Sequence, residues 1–375
     1  MTTEDILAKL VSFAQVAGQP NRAIVDWISD YLQRAGARVT RIPGPEGDRE
    51  NLFASFGPRD VAGIVLSGHM DVVPAAAAEW QTDPFTLTER NGSLFARGSS
   101  DMQGFLACVL ANAADFTTLS PNRPVHIAFS YDEELGCRGV PHLLAALPGL
   151  CAPPMGAVIG EPTSLIPVRG HKGKAAIGIE VRGRSGHSSR PDIGLNAIHG
   201  LSEVLSEVVT TAANLQNGPF SGDFVPPYST MQAGVIQGGQ AVNIIPDRAT
   251  LEVEARAIPG VDPQHLLMPV LHRLEMLRAQ GYDIQHELRS AYPALTLAEG
   301  HPLVQLIEQV AGRDALDAVS FGTEAGLFQQ AGIAAVICGP GDIGRAHKPD
   351  EYITRAELAD GTAFVRDVVR SAAQP

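Results

Sequence analysis

Hydrophobic residues in the first half of the chain alternate between stretches with helical spacing and short continuous runs. In the stretch NRAIVDWISDYLQRAG the apolar positions recur at helical intervals, namely at Ile24, Trp27, Ile28, Tyr31 and Leu32. We therefore predict helix through the first 36 residues, with Gly36 as the stop. The runs AGIVLSG, PVHIAFSYD and GAVIG are typical of buried strands, and they alternate with the helical stretches QGFLACVLANAADF and HLLAAL. This rhythm predicts an α/β layer with a largely parallel sheet.

The rhythm changes after about residue 172. A strand, a long helix, two strands, a helix from about Pro263 to Gln280 and a further strand follow one another, which is a ferredoxin-like order. Near residue 285 the α/β rhythm returns, with a closing helix from about Arg355. We therefore predict a discontinuous domain of residues 1–172 and 286–375, a mixed, largely parallel sheet with helices on both faces. A ferredoxin-like α+β domain of residues 173–285 is predicted to be inserted into it.

The composition of the chain indicates which kinds of molecule it can bind. The chain has 45% hydrophobic residues, enough for a sizeable core, and 28 basic against 41 acidic residues give a formal net charge of −13. Nucleic acids and anionic membranes are bound through positive patches, and no run rich in Lys or Arg is found. A small soluble ligand is therefore the expected partner, with no nucleic acid and no membrane.

The cysteines and the amino terminus favour a cytoplasmic location. The sequence starts with acidic residues and lacks the basic start and apolar run of a secretory signal, and no stretch approaches 18 apolar residues. Cys108, Cys137, Cys151 and Cys338 are widely spaced and form no CxxC pair. Neither a disulfide framework nor a thiolate zinc site is therefore expected.

The first candidate for chemistry is SGHMD, which ends the run AGIVL. Alternate residues share a face of an extended chain, so His69 and Asp71 can point the same way. Asp71 could then accept the hydrogen of one imidazole nitrogen while the other nitrogen binds a metal. The alternative is a helix-capping aspartate beside an ordinary histidine.

Further acidic residues and a second histidine are found at turns, at the ends of apolar runs or in the loops that follow them. Asp101 follows a small-residue turn, and by itself it is best interpreted as a helix N-cap. Three consecutive carboxylates at 132–134 end one apolar strand, and they either lie on a solvated loop or line a ligand site, because open α/β sheets bind ligands at their strand ends. Glu161 directly follows another apolar run, and His347 lies in a loop after IAAVICG.

These positions together suit a metal centre. Five of them supply two nitrogens and three carboxylates, namely His69, Asp101, Glu134, Glu161 and His347. Such a set suits two divalent, zinc-like ions that share one bridging carboxylate. Glu133 is then free to act as general base toward a water that the ions activate, and the expected chemistry is amide hydrolysis.

At this point the sequence resembles a known family. The resemblance runs over nearly the whole chain and is carried by the motifs SGHMDVVP, RGSSDMQGF, YDEELG, GEPT, GRSGHSSRPDIGLNAI, AVNIIPD and GRAHKPDEY. They are similar to those of the M20 family of co-catalytic metallopeptidases. Within it, WQTDPF, GEPTSL and FGTEAGLFQQAG are most similar to the acetylornithine deacetylase group, which implies release of acetate and ornithine from N2-acetyl-L-ornithine.

The resemblance implies a role for each matched residue. His69 and Glu161 would bind one metal ion, Glu134 and His347 the other, and Asp101 would bridge the two ions. The ions would be zinc, with cobalt as an alternative.

The remaining matched positions would support the reaction. Asp71 would orient the first histidine ligand, and Glu133 would be the acid/base. The inserted domain would be a dimerisation lid, so that the protein is a homodimer. His187 of the GHSS motif would reach the active site of the second copy and help to hold the oxyanion, whereas Asn243 and Arg256 would contact the substrate, the arginine through a carboxylate.

Several alternatives stay open at the level of sequence. His187 could be an ordinary surface histidine, or the base of a serine hydrolase built on Ser188 or Ser189, although no GxSxG elbow is present. Arg256 could form a surface ion pair on a strand. The turn at 322–324, Gly-Thr-Glu, fits a substrate contact or a helix start. The protein could also be a dipeptidase, a carboxypeptidase, another N-acyl deacylase or a silent binding protein.

Two positions depart from the family pattern. The family commonly has Thr between the His and Asp of its first motif and Lys two residues after the bridging Asp, where this chain has Met70 and Gln103. Neither position is a metal ligand in the family. We expect the neutral Gln103 to alter the local potential or the substrate range.

Overall fold

The structure is a computed structural model, and it describes residues 1–374. Helices α1 to α11 are, in chain order, Thr3–Val11, Arg22–Arg34, Gln103–Asn112, Phe116–Leu119, Val140–Ala146, Ala197–Leu215, Pro263–Leu266, Met268–Ala279, Pro302–Ala311, Ala325–Gln330 and Arg355–Ala372. Strands β1 to β17 are Arg38–Pro43, Glu50–Phe56, Ile64–His69, Thr88–Arg90, Ser93–Phe95, Val125–Ser130, Gly156–Pro162, Gly170–His171, Gly173–Arg182, Gly186–His187, Thr230–Gly238, Ile244–Ile245, Arg248–Ala257, Asp283–Tyr292, Leu295–Thr296, Ala335–Gly339 and Tyr352–Thr354. Among these described residues, no helix is long and apolar enough to cross a membrane.

The amino-terminal segment differs from the prediction of helix through residue 36. The chain leaves α1 after Val11, and α2 begins only at Arg22. Between them Gly18 has φ +81°, and Pro20 lacks the N–H group that a helix interior needs. The predicted stop is correct, since Gly36 has φ +93° directly after α2.

The chain divides into two compact units. The first unit contains residues 1–170 and 295–318 and continues from residue 323, and the second contains residues 171–294 and 319–322. The predicted domain boundary at 285 falls inside β14, which pairs along its length with β9. Residues 286–294 therefore belong to the second unit, because backbone hydrogen bonds join them to its sheet.

The first unit is built on a six-stranded sheet with the order β1-β2-β6-β3-β7-β16. Strands β6, β3, β7 and β16 run parallel to one another, whereas β1 and β2 form an antiparallel edge. Both β3 and β6 are buried at every residue, which explains their continuous apolar runs. The core also takes in apolar side chains of α1, α2, α3, α9 and α11. The predicted largely parallel α/β sheet is confirmed.

The second unit is built on an antiparallel four-stranded sheet with the order β11-β13-β9-β14. In chain order these strands are second, third, first and fourth, which is the arrangement of a ferredoxin-like fold. Helices α6 and α8 pack on it, and Val204, Leu251 and Leu274 lie in one buried cluster. The predicted α+β class of this segment is confirmed.

Candidate active site

The polar residues predicted from the strand ends meet at one edge of the parallel sheet. His69 is the last residue of β3, Glu161 lies near the end of β7, and Glu133 follows β6 by three residues. Because β6, β3 and β7 are neighbours and run parallel, their carboxyl ends reach the same edge. His69 and Glu161 are buried, and Glu133 is half-buried.

The shortest contacts in the cluster are centred on Asp101. Its Oδ1 lies 3.3 Å from Nε2 of His69, and its Oδ2 lies 3.4 Å from Nε2 of His347. The same Nε2 of His347 lies 3.0 Å from Oε1 of Glu134. One buried carboxylate therefore presents each of its oxygens to a different imidazole. Asp101 is not the N-cap of α3, which is Met102, so the helix-cap interpretation does not explain these contacts.

Two overlapping groups of side chains have ligand atoms close enough to hold a metal ion. His69, Asp101 and Glu134 form one, and His69, Glu133 and Glu161 form the other, with all ligand atoms of a group within 4.8 Å of one another. Nε2 of His69 lies 4.0 Å from Oε1 of Glu161. Imidazole nitrogens and carboxylate oxygens are suitable ligands for zinc and related divalent ions. The nitrogen and oxygen ligand atoms at this edge of the sheet are therefore suitable for binding divalent metal ions.

Asp71 orders the first histidine and the acidic turn at the same time. Nδ1 of His69 lies 2.8 Å from the backbone carbonyl oxygen of Asp71, but 3.8 Å from its carboxylate. That carboxylate instead accepts hydrogen bonds from the backbone N–H groups of Glu133 and Glu134, both at 3.2 Å. Asp71 thus orients His69 through its main chain, and its side chain fixes the turn that carries the two glutamates.

The carboxylate of Glu133 also contacts a cysteine. The Sγ of buried Cys137 donates to its Oε1 at 3.5 Å. The turn between them is closed by backbone hydrogen bonds from Gly136 and Cys137 to the carbonyl of Glu133. Glu133 is thereby held beside the ligand cluster by its own turn.

Sequence reasoning did not single out Glu351, four residues after His347. Its Oε1 accepts from the backbone N–H groups of Ser100 and Asp101, at 2.9 and 3.0 Å, and its Oε2 accepts from Arg97 at 2.7 Å. Both Arg97 and Glu351 are buried. The spacing within GRAHKPDEY gave no signal for this role, because the partner segment lies about 250 residues earlier in the chain.

The electrostatics of the cluster are dominated by buried negative charge. Burial raises the pKa of Glu133 and of Glu161 well above the ordinary value, and burial raises the pKa of Asp71 to about 6. Burial acts against the charged form of His69, but its contact with Asp101 and the nearby carboxylates raise its pKa well above the usual range. Hydrogen bonds to Asp101 and Glu134 raise the pKa of His347 to about 10. A divalent cation would favour the opposite forms, carboxylates without protons and neutral imidazoles.

The two residues that depart from the family pattern are next to members of this cluster in the chain: Met70 follows His69, and Gln103 is two residues after Asp101. Met70 is fully buried, and its carbonyl oxygen accepts a hydrogen bond from Nε2 of Gln103 at 3.0 Å. Gln103 is itself buried at the start of α3, and its Oε1 has no hydrogen-bond partner among residues 1–374. A neutral amide therefore fills a place where a lysine would add a positive charge.

The other predicted functional residues lie in the second unit. His187 is exposed in β10, and its Nδ1 lies 2.7 Å from Oγ of Ser189. Asn243 is exposed, and its carbonyl oxygen accepts from the backbone of Ser188 at 3.1 Å. Arg256, half-buried in β13, donates to Glu254 at 2.7 Å, which is the ion pair that its alternative interpretation describes.

The turn before α10 supplies a further buried acid. Thr323 Oγ1 accepts from the backbone of Ala325 at 3.0 Å, so the predicted helix start is correct. Glu324 is 1% exposed, and its carboxylate lies beside the Ser130 hydroxyl. Burial raises its pKa to about 7, whereas the Ser130 hydroxyl and His69 act in the opposite direction.

Comparison with known proteins identifies the family of the chain. The sequence model of peptidase family M20/M25/M40 matches residues 65–371. The chain is 36% identical over 354 residues to acetylornithine deacetylase of Photorhabdus laumondii subsp. laumondii, covering 94% of this chain and 90% of that protein. It is 35% identical over 360 residues to acetylornithine deacetylase of Myxococcus xanthus, covering 94% of this chain and 92% of that protein.

Solved structures share the fold. The M20 family metallo-carboxypeptidase Sso-CP2 from Sulfolobus solfataricus superposes with a TM-score of 0.82 at 16% identity, over 99% of each chain. Human carnosine dipeptidase 1 superposes with a TM-score of 0.74 at 19% identity, over 100% of this chain and 97% of that chain. Similarity at these identities establishes the fold alone.

Proposed function

Because the chain belongs to peptidase family M20/M25/M40, we propose that it is a two-metal amide hydrolase that converts N2-acetyl-L-ornithine into L-ornithine and acetate. The observation that carries the reaction class is the cluster in which one buried carboxylate, that of Asp101, faces the imidazoles of buried His69 and exposed His347. The similarity to acetylornithine deacetylases over 94% of the chain supports the substrate.

The metal assignment follows from the contacts of the cluster. His69 and Glu161 would hold one ion, Glu134 and His347 the other, and Asp101 would bridge them. The contacts of the two Asp101 oxygens, 3.3 and 3.4 Å from different histidines, support a bridging role. Zinc is the proposed ion, with cobalt as the alternative, because nitrogen and carboxylate ligands suit both.

When bound, divalent cations would polarise the amide carbonyl and acidify a water molecule. Glu133 would take the proton of the attacking water and deliver it to the nitrogen of the leaving ornithine. Asp71 would keep Glu133 in place through the backbone hydrogen bond at 3.2 Å. Because His69, Asp101 and Glu161 are buried, water screens their interactions little.

The second unit is proposed to complete the site and to form a dimer. Asn243 and Arg256 would bind the substrate, the arginine through the substrate carboxylate, and His187 would serve the active site of a second copy. Strand β11 lies at an edge of its sheet and exposes Val235 and Ile236, 49% and 55% exposed. An exposed apolar edge strand supports pairing with another copy, since such edges otherwise favour aggregation.

A cytoplasmic location is also proposed. The four cysteines are free, and none of them forms a disulfide. Free thiols are the usual state in a reducing compartment.

The test is hydrolysis of N-acetylornithine by purified protein, before and after chelation and after return of Zn²⁺ or Co²⁺. We expect activity to be lost with the metal and restored by it. Undiminished activity of the metal-free protein would contradict the two-metal mechanism. A panel of N-acetyl, N-formyl and N-succinyl amino acids and dipeptides then tests the substrate. If another compound had a much higher kcat/KM, the substrate assignment would fail and the reaction class would stand.

A further inference from the structure

The first unit contains a groove that the proposed mechanism does not use. It has a volume of about 460 Å³ and lies where the loops after β7 and β16 meet helices α9 and α11. Residues 357, 360, 364 and 367 line it, and they recur at helical intervals on one face of α11. Open α/β sheets bind ligands beyond the carboxyl ends of their strands, and small-molecule sites have volumes of this order. The groove therefore has the place and the size of a small-molecule site.

The two loops that line the groove are fixed to each other. The backbone N–H and the Oγ of Ser164 donate to the carbonyl oxygen of Gly341, at 2.7 and 3.2 Å. The N–H of Leu165 donates to the carbonyl oxygen of Gly339 at 2.9 Å. Ser164 and Leu165 have φ +54° and +56°, a region that residues with side chains seldom adopt. Backbone outliers of this kind cluster at ligand sites, so two of them in succession point to binding.

Two opposite charges at the groove have no partner in the chain. Arg313, just after α9, and Asp360 of α11 are exposed, and neither side chain forms an ion pair or a hydrogen bond among residues 1–374. The other two acids at the groove are engaged, since Glu357 accepts from Arg345 at 2.8 Å and Asp367 accepts from an arginine of its own helix. One cation and one anion are therefore available to a ligand.

Apolar side chains line the same groove. Phe364 is 5% exposed, and Leu165 and Val310 are half-buried. An apolar portion of a ligand that covered them would remove apolar surface from water, which is favourable. The groove thus offers a positive group, a negative group and an apolar surface to one small molecule.

We propose that this groove binds a free α-amino acid with an aliphatic side chain. The guanidinium of Arg313 holds the α-carboxylate through parallel N–H donors, and the carboxylate of Asp360 accepts the α-ammonium. The aliphatic side chain packs on Phe364 and Leu165. An N-acyl amino acid has no α-ammonium, so the groove selects free amino acids over compounds of the proposed substrate class.

The test is isothermal titration calorimetry of the purified full-length protein with leucine and with two of its fragments. Isocaproate is leucine without the ammonium, and isoamylamine is leucine without the carboxylate. We expect leucine to bind saturably and each fragment to bind at least roughly 10-fold more weakly, the lower end for a hydrogen bond between charged groups, because Arg313 and Asp360 are exposed.

The variants assign each charge to one end of the ligand. Arg313→Gln should raise the Kd of leucine roughly 10-fold and leave that of isoamylamine unchanged. Asp360→Asn should weaken leucine by a similar factor and leave isocaproate unchanged. The matched controls are Arg366→Gln and Asp314→Asn, which remove the same charges from exposed residues that do not line the groove. Both controls should bind leucine as the wild type does.

Absence of saturable leucine binding at millimolar concentrations would overturn the inference. Binding that survived both Arg313→Gln and Asp360→Asn would also overturn it, because leucine would then occupy another place. Unfolding curves confirm that each variant is folded. The titration requires no turnover, so a wild-type protein that failed to hydrolyse N-acetylornithine would refute the proposed function and leave this inference standing.

Discussion

At the scale of single residues, the carboxylates of the candidate site differ in the groups that they contact. Asp101 presents its two oxygens to two histidines, whereas each oxygen of the Asp71 carboxylate accepts from a backbone N–H group. Glu133 contacts a thiol, and no basic side chain of residues 1–374 is within hydrogen-bonding distance of its carboxylate. Its carboxylate is therefore available to accept the proton of the attacking water in the proposed mechanism.

We predict that Glu133→Gln keeps its metal but loses turnover. The amide has nearly the same shape as the acid and cannot accept a proton, so kcat should fall about 10²- to 10⁴-fold. The measurement is steady-state hydrolysis of N-acetylornithine, with metal content determined on the same samples. A variant that bound metal and retained near wild-type turnover would remove Glu133 from the mechanism.

We predict that Glu351→Ala weakens both the fold and the metal centre. It leaves Arg97 buried without its partner, so the free energy of unfolding should fall by about 3–5 kcal/mol. The N–H groups of Ser100 and Asp101 also lose their acceptor, and metal affinity should fall roughly 10- to 100-fold. Urea unfolding and metal titration measure the two effects.

The control for that variant is Asp367→Ala. Its partner Arg370 is 55% exposed at the side chain, so the loss should stay below about 1 kcal/mol. Similar losses in the two variants would argue against a special role for Glu351.

At the scale of secondary-structure elements, helix α3 packs very closely on β7. A Cβ atom added at Gly160 would lie 2.0 Å from the ring of Phe105, which is far inside contact distance. Only glycine allows the helix and the strand to approach in this way. Because Glu161 is the next residue, this packing also sets the place of a proposed ligand.

We predict that Gly160→Ala destabilises the protein by about 1–3 kcal/mol through overpacking, with a parallel loss of metal affinity as Glu161 moves. Gly149→Ala is the comparison, because nothing lies within 4 Å of an added Cβ there, and it should change stability by less than about 0.5 kcal/mol. Thermal unfolding with and without metal distinguishes the two. If Gly160→Ala were as stable as Gly149→Ala, the close packing would have no energetic role.

The elements also explain what sequence could predict. The ends of β3, β6 and β7 were predictable because buried parallel strands give continuous apolar runs, and His69 and Glu161 follow directly from them. Glu351 was not predictable, since its partners lie about 250 residues away and no local pattern records such a contact. Glu324 was recognised at a helix start, but the sequence does not show that its carboxylate is buried.

At the scale of the whole molecule, stability is coupled to metal and to pH. Burial raises the pKa of Glu324 and of Glu351 to about 7 in the folded metal-free chain, and burial raises that of Asp71 to about 6. Unfolded carboxyl groups have ordinary pKa values near 4. Between about pH 4 and 7 the folded state therefore binds more protons than the unfolded state, and its stability falls as pH rises.

We predict that the chelated protein has a higher Tm at pH 5.5 than at pH 8. Metal should reverse the trend, because ions bind the deprotonated carboxylates and stabilise the folded state by mass action. Differential scanning calorimetry across this pH range, with and without Zn²⁺, tests both statements. A Tm of the metal-free protein that rose with pH would contradict the assignment of these carboxylates.

The pairing of β7 with β16 has a consequence for how fast the chain folds. These neighbours join Ala157 to Ala335, and the whole second unit lies between them in sequence. Closing so long a loop is entropically costly, but a second unit with its own core can fold first and shorten it. Both tryptophans, Trp27 and Trp80, lie in the first unit. In stopped-flow refolding, far-ultraviolet circular dichroism should therefore recover before tryptophan fluorescence, and simultaneous recovery would exclude this order.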